Sequence, residues 1–179
     1  VYKRQGNKCA VTRERRGLPE ESGRYEYQYD SLNRLTGVSR NGKLLREYNY
    51  DAYGNRKIFK DVQKGEETHY EYNAVNQLVR EFHEETEKTY RYDKRGNLTG
   101  EWENGILQCT YEYDAANRLV HAVTENGEDA WYAYNGLGQR IEERHGEKRT
   151  RFLLDLTRPY QNLLEKAEFL PDGESRKQT

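Results

Sequence analysis

The chain has 179 residues, of which 34% are apolar and 34% charged, with a mean hydropathy of -1.27; so little aliphatic material excludes an ordinary two-layer domain with a deep core. Thirty Lys and Arg against 31 Asp and Glu leave a net charge of -1, which excludes a global electrostatic pull on nucleic acid or anionic lipid. No stretch approaches the roughly 18 apolar residues of a membrane-spanning helix, so no membrane span is expected.

The first 23 residues carry Arg13-Glu14-Arg15-Arg16, then Gly17-Leu18-Pro19 and Glu20-Glu21. The mixed signs predict a polar connecting ribbon rather than a nucleic-acid arm. Tyr2 to Asn7 reads as the remains of a glycine-type turn, and residues 1–23 are assigned as a truncated repeat with that ribbon. No signal-peptide pattern opens the chain, and a start at Val1 reads as an excised piece.

From residue 24 the sequence repeats. Tyr-x-Tyr-(Asp/Asn) occurs six times, at Tyr27/Tyr29/Asp30, Tyr48/Tyr50/Asp51, Tyr70/Tyr72/Asn73, Tyr90/Tyr92/Asp93, Tyr111/Tyr113/Asp114 and Tyr132/Tyr134/Asn135, and uses 12 of the 16 tyrosines. The second tyrosines stand 21, 22, 20, 21 and 21 residues apart. A fixed period of this length is the mark of a repeat architecture. Four residues after each second tyrosine stands Asn33, Gly54, Asn76, Gly96, Asn117 or Gly138. Only Gly and Asn enter the left-handed region cheaply. Asp or Asn followed three places later by Gly or Asn predicts a type I turn with a left-handed bulge residue. The recurrent aspartates are therefore expected to accept backbone N–H bonds in an Asx-turn rather than to catalyse. The Asn/Gly alternation suggests a true period of two hairpins.

A second turn signal falls in each repeat, at Asn41-Gly42, Lys64-Gly65, Glu84 to Lys88, Asn104-Gly105, Asn126-Gly127 and His145-Gly146. Asn-Gly between strand-like runs is a strong hairpin signal. The flanking runs alternate as strands do: Tyr25, Tyr27 and Tyr29 fall on one face, Arg24, Glu26 and Gln28 on the other. Leu35, Leu78, Leu98 and Leu119 share one register, with Arg56 and Arg140 standing there in the second and sixth repeats, so that apolar stripe is expected to be incomplete. The expected fold is all-β: tandem antiparallel hairpins of about 21 residues in a curved, open repeat sheet. Cross-strand tyrosine stacking, about 0.2–1 kcal/mol per pair, is expected to take the place of a core. Open edge strands predict self-association.

Six repeats and the start of a worn seventh, Phe152-Leu153-Leu154-Asp155, occupy residues 24–155. Residues 156–179 form a degenerate repeat or tail. Thr157 and Pro159 can start a helix bearing Tyr160, Leu163, Leu164 and Ala167 on one side, or the same residues form a strand pair. Pro171-Asp172-Gly173 reads as a turn.

Chemistry is sparse. His69, His83, His121 and His145 are not at metal-ligand spacing, and no nucleophile elbow or phosphate loop is present. Cys9 and Cys109 are expected to be free thiols. No catalytic residue, metal or cofactor is assigned. Trp102, Trp131 and the tyrosines are alternatively sugar platforms of an extracellular adhesion module with cell-surface glycans as partners.

The unit Tyr-x-Tyr-Asp-x-x-Gly/Asn-Arg/Asn-Leu, as in Tyr90 to Leu98 and Tyr111 to Leu119, resembles the YD repeat of Rhs (rearrangement hot spot) proteins, which also occurs in insecticidal toxin complexes and teneurins. The resemblance covers residues 24–155. It implies a segment of a larger hollow β-shell, in bacterial members one that encloses a C-terminal toxin domain before delivery, and so a secreted or cell-surface parent protein. Its implied partners are neighbouring repeats and the enclosed domain. The self-cleaving DPxG-type motif of bacterial members is missing from this sequence, so no catalytic residue is carried over.

Overall fold

The structure is a computed structural model that describes residues 6–14, 16–17, 21–157, 162–169 and 175–178. The readings placed on Tyr2 to Gln5, Arg15, Leu18 to Glu20, Pro159, Tyr160 and Pro171 to Gly173 lie outside those residues. The chain divides into two compact units, residues 1–88 and 89–179.

In the first unit β1 (Ala10–Arg13), β2 (Gly23–Tyr29), β3 (Leu35–Arg40), β4 (Lys43–Tyr50), β5 (Arg56–Asp61), β6 (Glu66–Tyr72) and β7 (Leu78–His83) follow in order. Each pairs antiparallel with the next. Strand β8 (Thr86–Tyr92) spans the division between the units. The second unit holds β9 (Leu98–Glu103), β10 (Ile106–Tyr113), β11 (Leu119–Thr124), β12 (Asp129–Tyr134), β13 (Arg140–His145), β14 (Lys148–Asp155), β15 (Asn162–Phe169) and β16 (Ser175–Gln178), again paired antiparallel in chain order. The fold is all-β, and each unit is an open antiparallel meander that advances by one hairpin per repeat.

Both turn types fold locally. Asn41 (φ 51°) with Gly42 (φ 79°), and Asn104 (φ 49°) with Gly105 (φ 80°), have the two consecutive positive φ angles of a type I′ turn, whose twist suits a two-residue hairpin. Each longer turn is flanked by a register shift: it falls between Tyr29, Tyr50, Tyr72, Tyr113 or Tyr134 and the residue before it, and these tyrosines then oppose Leu35, Arg56, Leu78, Leu119 and Arg140 across the turn. That bulge absorbs the extra turn residue.

The interior is thin. Ala10, Val38, Leu45 and Ala167 are the buried apolar side chains among the described residues, and all twelve motif tyrosines are half-buried. Of the two forms open to the tail, the strand form is present: Asn162–Phe169 pairs with β14 and with β16. A helix here would have stranded the carbonyls and amides of β14's outer edge, which β15 instead satisfies along seven residue pairs from Arg149↔Phe169 to Asp155↔Asn162.

Candidate functional site: a ladder of turns

Each repeat turn is closed in the same way. Asp30, Asp51, Asn73, Asp93, Asp114 and Asn135 each donate their backbone N–H to the carbonyl four residues on, and each accepts at its own carbonyl the N–H of Asn33, Gly54, Asn76, Gly96, Asn117 or Gly138. Those six residues have φ between 59° and 93°. The side-chain Oδ1 of each Asp or Asn accepts two further backbone N–H bonds, from the second and fourth residues on, at 2.8–3.0 Å. Main-chain groups that the turn leaves unpaired are thus satisfied by one side chain.

The remaining oxygen or nitrogen of that side chain selects the fifth residue after the second tyrosine. Asp30 and Asp114 take the Nε of Arg34 and Arg118 at 2.6 and 2.7 Å, while Asp51 and Asp93 take the amides of Asn55 and Asn97 at 2.9 and 2.8 Å. Where Asn73 and Asn135 replace aspartate, the partner changes to glutamine, and their amide hydrogens go to Gln77 and Gln139 at 2.7 and 2.8 Å. An acceptor-only carboxylate needs a donor; an amide, itself a donor, needs an acceptor.

This same fifth residue reaches the following turn. Arg34 Nη1 donates to the carbonyl of Asp51 (3.0 Å) and Arg118 Nη1 to that of Asn135 (3.3 Å). Asn55 Nδ2 donates to Asn76 Oδ1 (2.9 Å), Asn97 Nδ2 to Asn117 Oδ1 (3.0 Å), and Asn7 Nδ2 to Asn33 Oδ1 (3.1 Å). The Asn/Gly alternation has a cause: an asparagine that follows a glycine-type turn meets an asparagine-type turn next, whereas arginine bypasses the side chain and takes the backbone of the glycine-type turn. Asn7, one place after Gly6 (φ 84°), joins the same ladder.

Eight of the motif tyrosines have partners among carbonyls, cations and other side chains. The phenols of Tyr29, Tyr50, Tyr72 and Tyr134 donate to the carbonyls of Lys8, Leu35, Arg56 and Leu119 at 2.7–3.0 Å. Arg34 lies over the ring of Tyr50 and Arg118 over that of Tyr134, both at 4.9 Å, while Arg56 covers Tyr70 at 4.6 Å and Arg140 covers Tyr132 at 5.3 Å. Tyr48 packs on Phe59, and Tyr111 donates to Glu101 Oε1. At Tyr48, Tyr50, Tyr70, Tyr132 and Tyr134 the ring partners are Phe59 and arginines, where tyrosine-on-tyrosine stacking was expected. Arginine's flat cation covers a ring and still reaches a carbonyl or carboxylate, so Arg56 and Arg140 in the leucine register complete the layer that they were expected to interrupt. Tyr27, Tyr90, Tyr92 and Tyr113 occupy the equivalent places in β2, β8 and β10.

Electrostatics follow the same geometry. The backbone N–H of Arg34 and the Arg34 guanidinium hold the Asp30 carboxyl below its ordinary range, against partial burial. Asp114 is lowered in the same way by Arg118 and Asp93 by the amide of Asn97. At Asp51 burial pushes upward, but the bonds from Asn55 and the turn amides outweigh it. Burial raises the phenols of Tyr50, Tyr72, Tyr92 and Tyr113.

The other candidates are absorbed into the scaffold. His69 stacks on Phe82 at 4.8 Å and His121 on Trp131 at 3.7 Å, while His145 meets Tyr132 edge-on at 6.0 Å. His83 Nδ1 lies 3.2 Å from the carbonyl of Glu67. Cys9 and Cys109 are free thiols. Neither indole is a bare platform: Arg91 covers Trp102 at 4.4 Å, whose other contact is Gly100, where even a methyl group would collide with the ring at 2.6 Å. Trp131 is stacked on His121 and donates Nε1–H to Asp129. No group of three or more His, Cys, Asp or Glu able to hold a metal ion occurs among the described residues.

Comparison with known proteins agrees with this geometry. A family model described as Teneurin YD-shell matches residues 6–158. The chain is 33% identical over 132 residues to the tRNA nuclease WapA of Bacillus subtilis, covering 71% of this chain and 5% of that protein. It is 30% identical over 141 residues to human Teneurin-4, covering 76% of this chain and again 5% of the relative. The chain thus spans about one-twentieth of the length of these curated relatives. Among solved structures, TcdB2-TccC3 without its hypervariable C-terminal region superposes with a TM-score of 0.66 at 12% identity, over 99% of this chain and 10% of that one. At that identity the likeness concerns the fold.

Proposed function

Because the chain belongs to the Teneurin YD-shell family, we propose that it is a non-catalytic stretch of wall in a larger YD-repeat shell whose parent, secreted or displayed at the cell surface, encloses a C-terminal toxin domain for delivery. The observation that carries this reading is the ladder of turns. Arg34, Asn55, Asn97 and Arg118 each tie one hairpin to the next within its unit, a device that specifies continuity of a sheet rather than a reaction centre. The likeness to TcdB2-TccC3 supports the sheet, and the name of WapA supports an association of such sheets with a tRNA nuclease. A wall of this kind acts by exclusion: a continuous hydrogen-bonded surface keeps proteases out and the enclosed domain away from its targets.

The test uses the full-length parent. Limited proteolysis before and after mild denaturation is expected to leave a C-terminal domain uncut in the intact protein and cut once the repeats open. Glycine substitutions at Arg34, Asn55, Asn97 and Arg118 together are expected to expose it under native conditions. A C-terminal domain digested at the same rate in intact and opened protein would overturn the enclosure reading.

A further inference from the structure

On the tyrosine-bearing face, the strand register places two comparable rows of side chains. In the first unit the row runs Tyr48↔Phe59↔Thr68↔His83. In the second it runs Tyr111↔Ala122↔Ala130↔His145. The ends of the rows match, His83 and His145 each standing 13 residues after the first tyrosine of their repeat, Tyr70 and Tyr132. The middles do not: Phe59 and Thr68 are replaced by two alanines.

Removing that bulk opens a recess. The first-unit row borders a shallow depression of about 320 Å³ around Phe59 and Thr68, whereas the second-unit recess is about 610 Å³, with Ala122, Ala130, Tyr132, His145 and Glu128 in its lining. Its floor is two methyl groups, and Tyr132, fixed by Arg140 on its ring and His145 against its edge, forms a wall. Its lining holds no Lys or Arg, and the carboxylate that shares the face of Ala130 is that of Glu128. Asp129 turns its carboxylate to the opposite face, where Oδ2 accepts from the Trp131 indole at 2.7 Å and lies 3.7 Å from His121 Nε2, and the Glu128 carboxylate makes no ion pair among the described residues. Elsewhere in both units the chain's own arginines lie over aromatic rings, as Arg34 does on Tyr50 and Arg118 on Tyr134. Apolar floor, aromatic wall and the Glu128 carboxylate at the rim together suit one kind of group: an alkyl stem ending in a cation, the stem lying on methyls and ring while the head reaches Glu128.

We propose that this recess is a docking site for a basic side chain, lysine or arginine, of a polypeptide lying against the tyrosine face. Binding is noncovalent and driven by stem burial and the Glu128 carboxylate together, so it needs both the cation and the apolar stem. The site stands whether or not the parent encloses a toxin, because it is defined by the residues of the second unit alone.

The experiment follows the methyl resonances of Ala122 and Ala130 in the chain while the N-acetyl, N-methylamide derivatives of lysine, arginine, norleucine and glutamate are added. Saturable shifts are expected with lysine or arginine, at least fivefold weaker binding with norleucine, and none with glutamate. Ala122→Phe combined with Ala130→Thr, which reproduces the first-unit row, is expected to abolish the response at His145. Glu128→Gln, at an exposed position, is expected to weaken binding severalfold without altering the unfolding midpoint. Equal binding of norleucine and lysine, no saturable response to either cation, or lysine affinity unchanged in Glu128→Gln would each overturn the proposal. Protection of the enclosed domain in the parent is a separate readout, so failure of the recess and failure of the enclosure reading are distinguishable.

Discussion

Asn55 gives one amide hydrogen to Asp51 in its own turn and another to Asn76, 21 residues away in the following turn, at 2.9 Å each. Asn76 is itself left-handed, with φ 61°, so it has two roles that substitution separates. Glycine keeps the backbone freedom and removes the acceptor. If φ alone mattered, Asn76→Gly would be neutral or stabilising. The ladder predicts a loss of about 0.5 kcal/mol, the low end for a hydrogen bond that water can partly replace, read as a lower urea midpoint.

Backbone strain is tested at the neighbouring turn type. Gly96 has φ 89°, and a β-branched residue there is expected to cost about 1–3 kcal/mol. Lys94, exposed in the same turn, is expected to accept valine within about 0.5 kcal/mol. Equal melting shifts for Gly96→Val and Lys94→Val would remove the conformational account of the glycine.

The phenol of Tyr50 has a definite partner, the Leu35 carbonyl at 2.7 Å, and burial around it raises its pKa. Tyr50→Phe keeps the ring under Arg34 and deletes the donor, with an expected loss of about 1 kcal/mol. Tyr53 is 83% exposed, so Tyr53→Phe is its control and is expected to leave denaturant unfolding unchanged.

Acid should loosen the turns in a defined order of events. The carboxyls of Asp30, Asp51, Asp93 and Asp114 all lie below their ordinary value in the folded chain. A carboxyl with a depressed folded pKa stabilises the fold above its unfolded pKa, about 3.9. That contribution is lost as pH falls through the folded value. The melting temperature is therefore expected to drop below about pH 4. Asp114→Asn with Arg118→Gln copies the neutral pairs Asn73–Gln77 and Asn135–Gln139. The double variant is expected to flatten the acid limb and to be more stable than the sum of the two single changes, as measured in a double-mutant cycle.

Much of this was legible in the residues because each hairpin is a local decision. Tyr-x-Tyr-Asp with Gly54 or Asn33 four places on encodes strand, turn and bulge within ten residues, and repetition multiplies the signal. The partnership of Asn55 with Asn76 joins different repeats, yet it had left a trace: asparagine follows Gly6, Gly54 and Gly96. Arg56 and Arg140 look like gaps in an apolar stripe because hydropathy ignores the flat face of a guanidinium, which covers Tyr70 and Tyr132. Ser175–Gln178 follows the turn read at Pro171-Asp172-Gly173 but has no tyrosine to mark it as a strand, and its place in β16 comes from pairing with β15. The recess at Ala122 and Ala130 is defined by missing bulk, which becomes visible only when two rows are compared in register.

The alternation of turns also bears on how such a ribbon can change length. Removing the single repeat that carries Asn117 would bring Asn97 against Gly138, which has no side chain to receive its amide, and would put two glycine-type turns side by side. Removing that repeat together with a neighbour restores the order. Arrays of this kind are thus expected to grow and shrink by whole pairs of hairpins, with gene duplications that respect the pair keeping every seam closed.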